Sequence, residues 1–168
     1  MIPSTLDTPI GSTTGRYTYL DREHDVAVVG YGSTLEEAFE GAAEGAFALM
    51  GDLEQVRAER TVPVSFIEEH DRRALTRWLE LLIGAARQHH LVFSEFHLQR
   101  ERGRWWGCAT GGRQRGAAAR EVQVKRTGTA VAHTARGWEA SCVVQCSPRA
   151  SAAPDPVSRP AVASDKQV

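Results

Sequence analysis

Four acidic residues stand where a chain could do chemistry: Asp21, Glu23 and Asp25 in one short polar stretch, and Asp52 just beyond a run with helical spacing. Carboxylates converging from a strand start and a helix end could hold a hard cation, because calcium and magnesium take several oxygen ligands. The same residues also suit turns and loop caps, where Asp bonds to nearby backbone amides. Glu95 sits inside the apolar stretch Phe93-Ser94-Glu95-Phe96, where alternation turns it either to solvent or into a polar site, solvent being the expectation. His89 and His90 close a helical pattern and read as C-terminal capping groups before metal ligands. Cys142 and Cys146 have no zinc-like partners in sequence, and with Cys108 they read as buried or idle thiols.

A second kind of chemistry is suggested by Arg100 to Arg126. The stretch holds Arg100, Arg102, Arg104, Arg113, Arg115, Arg120, Lys125 and Arg126 against Glu101 and Glu121. Trp105 and Trp106 lie within it, and aromatics among arginines can stack bases while the charges meet phosphates. Neighbouring strand residues face opposite ways, so one Trp belongs to the core and at most one is available. Arg113, Arg115 and Lys125 are the candidate RNA contacts. No phosphate-binding glycine loop, nucleophile elbow or H-E-x-x-H helix occurs, which weighs against an enzyme.

The elements that would position these groups are legible. Tyr17 and Tyr19, then Val26 to Tyr31, read as two strand pieces interrupted at Asp21 to Asp25. Thr34-Leu35-Glu36-Glu37 is a capping box that starts a helix, with Leu35, Ala38, Phe39, Ala42, Ala46, Phe47 and Met50 on one face and Gly51 as its terminator. A second helix starts with Asp71 as cap and buries Leu75, Trp78, Leu79, Leu82, Ile83 and Ala86; Gly84 weakens it by about 1 kcal/mol relative to Ala. Strand-like pieces fill the rest, at 62–66, 91–98, 104–109, 122–125, 130–133 and 139–145. The expectation is an α+β fold, two amphipathic helices packed on a mixed, largely antiparallel sheet.

The 168 residues suit one domain, and the net charge of -1 points neither to nucleic acid nor to an anionic membrane as a global partner. Segments 1–16 and 147–168, rich in Ser, Thr, Pro, Gly and Ala, are expected to be disordered around a domain at 17–146. The apolar stretches fall short of the ~18 residues a span needs. Three cysteines and no leader-like segment suggest a cytoplasmic protein with no membrane or DNA partner.

Tyr19-Leu20-Asp21-Arg22-Glu23-His24-Asp25-Val26, followed by Tyr31-Gly32-Ser33-Thr34-Leu35-Glu36-Glu37-Ala38-Phe39, resembles the opening of archeases without a gap. The likeness continues through Phe47 to Asp52, Leu79 to Leu82 and Leu91 to Phe96, and closes at Gly137-Trp138 through Val144. The resemblance implies a compact α+β fold and a non-catalytic accessory that promotes guanylylation and repeated turnover of a GTP-dependent RNA-splicing ligase, in tRNA splicing or RNA repair. It implies indirect RNA contact, partner contacts through Asp21, Glu23 and Asp25, and a calcium or magnesium site on Asp25 and Asp52. The family's third aspartate falls on Gln145, whose neutral oxygen should hold a divalent cation more weakly. The family's His-Thr-Ala is Arg22-Glu23-His24 here, and its acidic loop before the Val-Lys strand is replaced by residues 111–120. An RNA-binding or chaperone-like modulator without metal-dependent activity is the alternative.

Overall fold

The structure, a computed structural model, describes residues 15–22, 25–114 and 120–148. Strands β1 (Tyr17–Arg22) and β2 (Asp25–Gly32) lead to helix α1 (Leu35–Ala48), a single 3-10 turn (Leu53–Gln55) and β3 (Arg60–Ile67). Helix α2 (Asp71–His89) follows, then β4 (Val92–Glu101), β5 (Arg104–Gly112), β6 (Arg120–Val124), β7 (Ala130–Thr134) and β8 (Gly137–Pro148).

The α+β expectation holds, with one correction to its layout. The strands form two sheets rather than one, and every described pairing is antiparallel. One sheet runs β1-β2-β8-β6, with β7 also on β8; the other runs β3-β5-β4. The twelve-residue β8 is long enough to carry β7 on Gly137–Ser141 and β6 on Val144–Pro148 along the same edge. The helices lie between the sheets: α1 packs on β2 and β8 on one side and β4 on the other, while α2 packs on β3 and on β6, β7 and β8.

This sandwich explains why α1 is buried well beyond the apolar face seen in its sequence. Gly41, Ala42, Ala43, Gly45 and Ala46 are all buried, and their small side chains let backbones approach closely. Phe47 meets Phe93 and Phe96 at centroid distances of 5.5 and 5.3 Å, and Trp78 of α2 donates from Nε1 to Phe39 O at 3.2 Å. Trp105 is 1% exposed whereas Trp106 is half-buried, as alternation along a strand requires.

The helix ends differ from expectation in detail. Thr34 Oγ1 accepts from Glu37 N at 3.2 Å, as a capping box predicts. Glu37 reaches back chiefly to Ser33, accepting from Ser33 N at 2.8 Å and Ser33 Oγ at 2.6 Å, with the Thr34 cap amide a smaller influence on its carboxyl. The cap of α2 is His70, with no side-chain cap bond; Asp71 is the first helical residue and its carboxylate takes Arg100. α1 ends at Ala48 with Leu49 in right-handed geometry, so Gly51 supplies no left-handed terminator. His90 fills that role in α2, at φ 55°, its N–H returning to the carbonyls of Ala86 and Arg87.

The hydrogen bonds from Ser33 hold the Glu37 carboxyl below its ordinary range. A carboxylate depressed on folding stabilises above its unfolded pKa and loses that contribution as pH falls through the folded value. In melts followed by circular dichroism, the Tm gap between the wild type and Glu37→Gln should be full at pH 7. It should close as the pH drops below about 4.

Candidate functional site

The acidic stretch falls at the end of the β1-β2 hairpin where the chain passes from one strand to the other. Arg22 pairs with Asp25 and Asp21 with Val26, while Glu23 lies outside the described residues. Asp21 is exposed on β1. Asp25 begins β2, and since Val26 pairs with Val144, continuing the register sets Asp25 beside Gln145. Even-numbered residues of β2 face the helices: a Cβ on Gly30 would lie 2.1 Å from Ala38 O of α1. Asp25 and Gln145 therefore share the outer face of the sheet, away from the helix layer.

Lys125 joins them on that face. Its N–H donates to Val143 O at 2.8 Å, extending the β6-β8 ladder by one step, and its ammonium meets Asp25 Oδ2 at 2.5 Å. Asp25 Oδ1 is buried and accepts no hydrogen bond from the described residues. Leaving such an acceptor unpaired costs about 1–3 kcal/mol, so this oxygen is suited to receiving a donor or a cation.

Asp52 follows α1 and caps the 3-10 turn, its Oδ1 accepting from Glu54 N at 3.1 Å. It thus comes from the helix layer, whereas Asp25 and Gln145 face outward. The described residues hold no group of three or more His, Cys, Asp or Glu side chains placed to bind a metal. Asp25, Asp52 and Gln145 are oxygen donors of the right chemical type for calcium or magnesium; the register sets Asp25 beside Gln145, while Asp52 is engaged in its own cap.

The basic stretch does not form one patch, because its strands are divided between the two sheets. Arg100, on β4, lies between Glu36 at 3.5 Å and Asp71 at 3.2 Å with its guanidinium 5.1 Å from the Trp105 ring centroid. Arg126 meets Glu80 at 3.5 Å. Arg113 is exposed and lines a cleft of about 600 Å³ with Arg87, His90, Arg120 and the apolar Leu91 and Val92; Arg115 lies outside the described residues. Within that cleft Arg87 is paired with Glu121 at 2.6 Å. Glu95 is exposed beside an irregularity in the β4-β5 register, in line with the solvent expectation.

Sequence reasoning missed Glu40. Its Oε1 accepts from Leu98 N at 2.8 Å and its Oε2 from Arg16 at 3.0 Å, so one α1 carboxylate ties β4 to the segment before β1. Its place beside the apolar Phe39 in an amphipathic pattern reads as solvent-facing; only the second sheet encloses it. Burial pushes the Cys142 thiol up to about 12, and burial also raises that of Cys146.

The archease protein family model matches residues 17–145, from the first residue of β1 well into β8. The chain belongs to the archease family. The archease of Sulfolobus acidocaldarius is 32% identical over 81 residues, covering 48% of this chain and 58% of that protein. The archease of Thermococcus gammatolerans is 36% identical over 87 residues, 52% of this chain and 61% of that one. The chain thus spans about three-fifths of the length of these curated archeases. The solution structure of protein 1598 from Methanobacterium thermoautotrophicum matches with a TM-score of 0.65 at 23% identity, covering 77% of this chain and 97% of that one, a likeness of fold. No helix among the described residues of this archease is long and apolar enough to cross a membrane.

Proposed function

We propose that this archease is a non-catalytic accessory of a GTP-dependent RNA-splicing ligase in the cytoplasm, promoting its guanylylation and multiple turnover in tRNA splicing or RNA repair. The observation that carries this reading is the family match across residues 17–145. The hairpin end supports it: Asp25, with one buried oxygen unpaired among the described residues, and exposed Asp21, on the opposite face of the paired strand, put two carboxylates at one end of the sheet that a basic active-site mouth could receive. Such a contact would act by positioning, with Asp25 and Asp21 presented from paired strands. A divalent ion, calcium or magnesium, belongs to the same reading. It would be held by Asp25, Asp52 and the neutral oxygen of Gln145, and would lend positive charge to a partner's phosphate or carboxylate.

The test is multiple-turnover RNA ligation by a splicing ligase with and without this protein, and with Asp25→Ala. Stimulation should be lost in the variant while its Tm changes little, since a partly exposed ion pair contributes about 1 kcal/mol or less. Absence of stimulation by the wild type would refute the accessory role. The cleft with Arg87, Arg113, Arg120 and His90 favours a second reading, direct RNA contact, whose mark is ligase-independent binding that weakens steeply with salt.

A further inference from the structure

The ion pair at the connected end of the hairpin has a geometry of its own. Lys125 is the first residue past β6, and its backbone bond to Val143 fixes its side chain on the outer face with Val143 and Gln145. From there the ammonium reaches diagonally across β8 to Asp25 on β2, so one contact spans three strands. On the β8 side the register positions on that face, Gln145 and Gln123, carry neutral amides, while on the β1 side the residue opposite Asp25 is Arg22. Asp25 therefore has the Lys125 ammonium as its ion-pair partner, Arg22 opposite it on β1, and no carboxylate at these register positions. Its side chain is 21% exposed and that of Lys125 40%, so the pair is partly shielded from water, where charge interactions strengthen.

A divalent cation on Asp25 would bring two positive charges close to that ammonium. It would also need oxygen ligands that the amides supply only weakly. The two cations cannot share the carboxylate at low cost, because like charges at such distances repel. We propose that Lys125 is the resident cation of Asp25, and that calcium or magnesium reaches this carboxylate only by displacing it. The side chain acts here as a built-in counter-ion that satisfies the acidic tip without metal. The inference concerns the same tip as the proposed accessory role, but it rests on the ion pair and needs no ligase.

The experiment uses the full chain, with calcium chloride as the probe, in isothermal titration and in thermal melts with and without the ion. Lys125→Met should bind calcium at least about tenfold more tightly than the wild type, and its Tm should rise with calcium. Lys125→Arg keeps the positive charge and should behave as the wild type. The double variant Asp25→Asn with Lys125→Met should lose the gain. Equal calcium affinity in the wild type and Lys125→Met, including no binding by either, would overturn the proposal. So would a gain that survives Asp25→Asn. The outcomes separate from those of the ligation assay: a calcium gain in Lys125→Met without ligase stimulation leaves this inference standing and removes the accessory role, and the reverse pattern does the opposite.

Discussion

Replacing Trp105 by alanine should lower stability by about 3–5 kcal/mol, the range for truncating a large buried aromatic. Its ring lies between Phe39 of α1 and Phe66 of β3, at centroid distances of 4.9 and 5.8 Å and nearly parallel to both, so the indole joins the helix layer to the second sheet. Truncation opens a cavity at this junction and removes the Nε1 bond to Glu68 O at 3.0 Å. Arg100 also loses the ring beneath its guanidinium. Domains of this size are stable by only about 5–15 kcal/mol, so the midpoint of thermal unfolding should fall by more than about 10 °C. Trp106→Ala is the control, since its side chain lies on the other face of β5 and is half-buried. Its midpoint should move by less than half as much. Similar losses in the two variants would mean that Trp105 does not join the layers as described.

The second large effect comes from the smallest side chain. Gly30→Ala places a Cβ 2.1 Å from Ala38 O and 2.2 Å from Ala42 N, both backbone atoms of α1. No rotamer relieves this clash, so β2 and α1 must separate. Overpacking of this kind costs about 1–3 kcal/mol and more where backbone must move. Gly84→Ala makes the opposite prediction: Gly84 is on the exposed side of α2 with nothing within 4 Å of the added carbon, and the variant should gain about 0.4–1 kcal/mol from helix propensity and a less flexible unfolded chain. Denaturant unfolding of the two variants should shift the midpoint in opposite directions. A neutral Gly30→Ala would contradict the close contact of β2 and α1.

These contrasts show which features local pattern could reveal. Thr34 and Glu37 announced the start of α1 because capping chemistry spans four residues, and the 3-4 spacing of Leu75, Trp78, Leu79 and Leu82 set the buried face of α2 for the same reason. The alternation that assigned one of Trp105 and Trp106 to the core is a property of a single strand. The run of blocks from Tyr19 to Phe39 and onward to Val144 carried the family resemblance, and with it the α+β class. Asp25 was legible as a candidate because a carboxylate at a strand start stands out in any reading of the sequence.

What the sequence left open depended on partners distant in the chain. Two sheets rather than one, the burial of Gly41 and Gly45, and the enclosure of Glu40 all follow from which strand meets which, and strand pairing is set by long-range packing. The linear cluster of arginines was dispersed because its strands went to different sheets, where Arg100 and Arg126 found carboxylates of α1 and α2. Asp25 and Lys125 are one hundred residues apart, and nothing in either neighbourhood marks them as partners. By itself the sequence determined the elements, their buried faces and the family; the tertiary structure alone decided that Asp25 faces Lys125 on the outer side of the sheet while Asp52 stays with the helices, because side-chain parity has a direction only once a strand has found its neighbours.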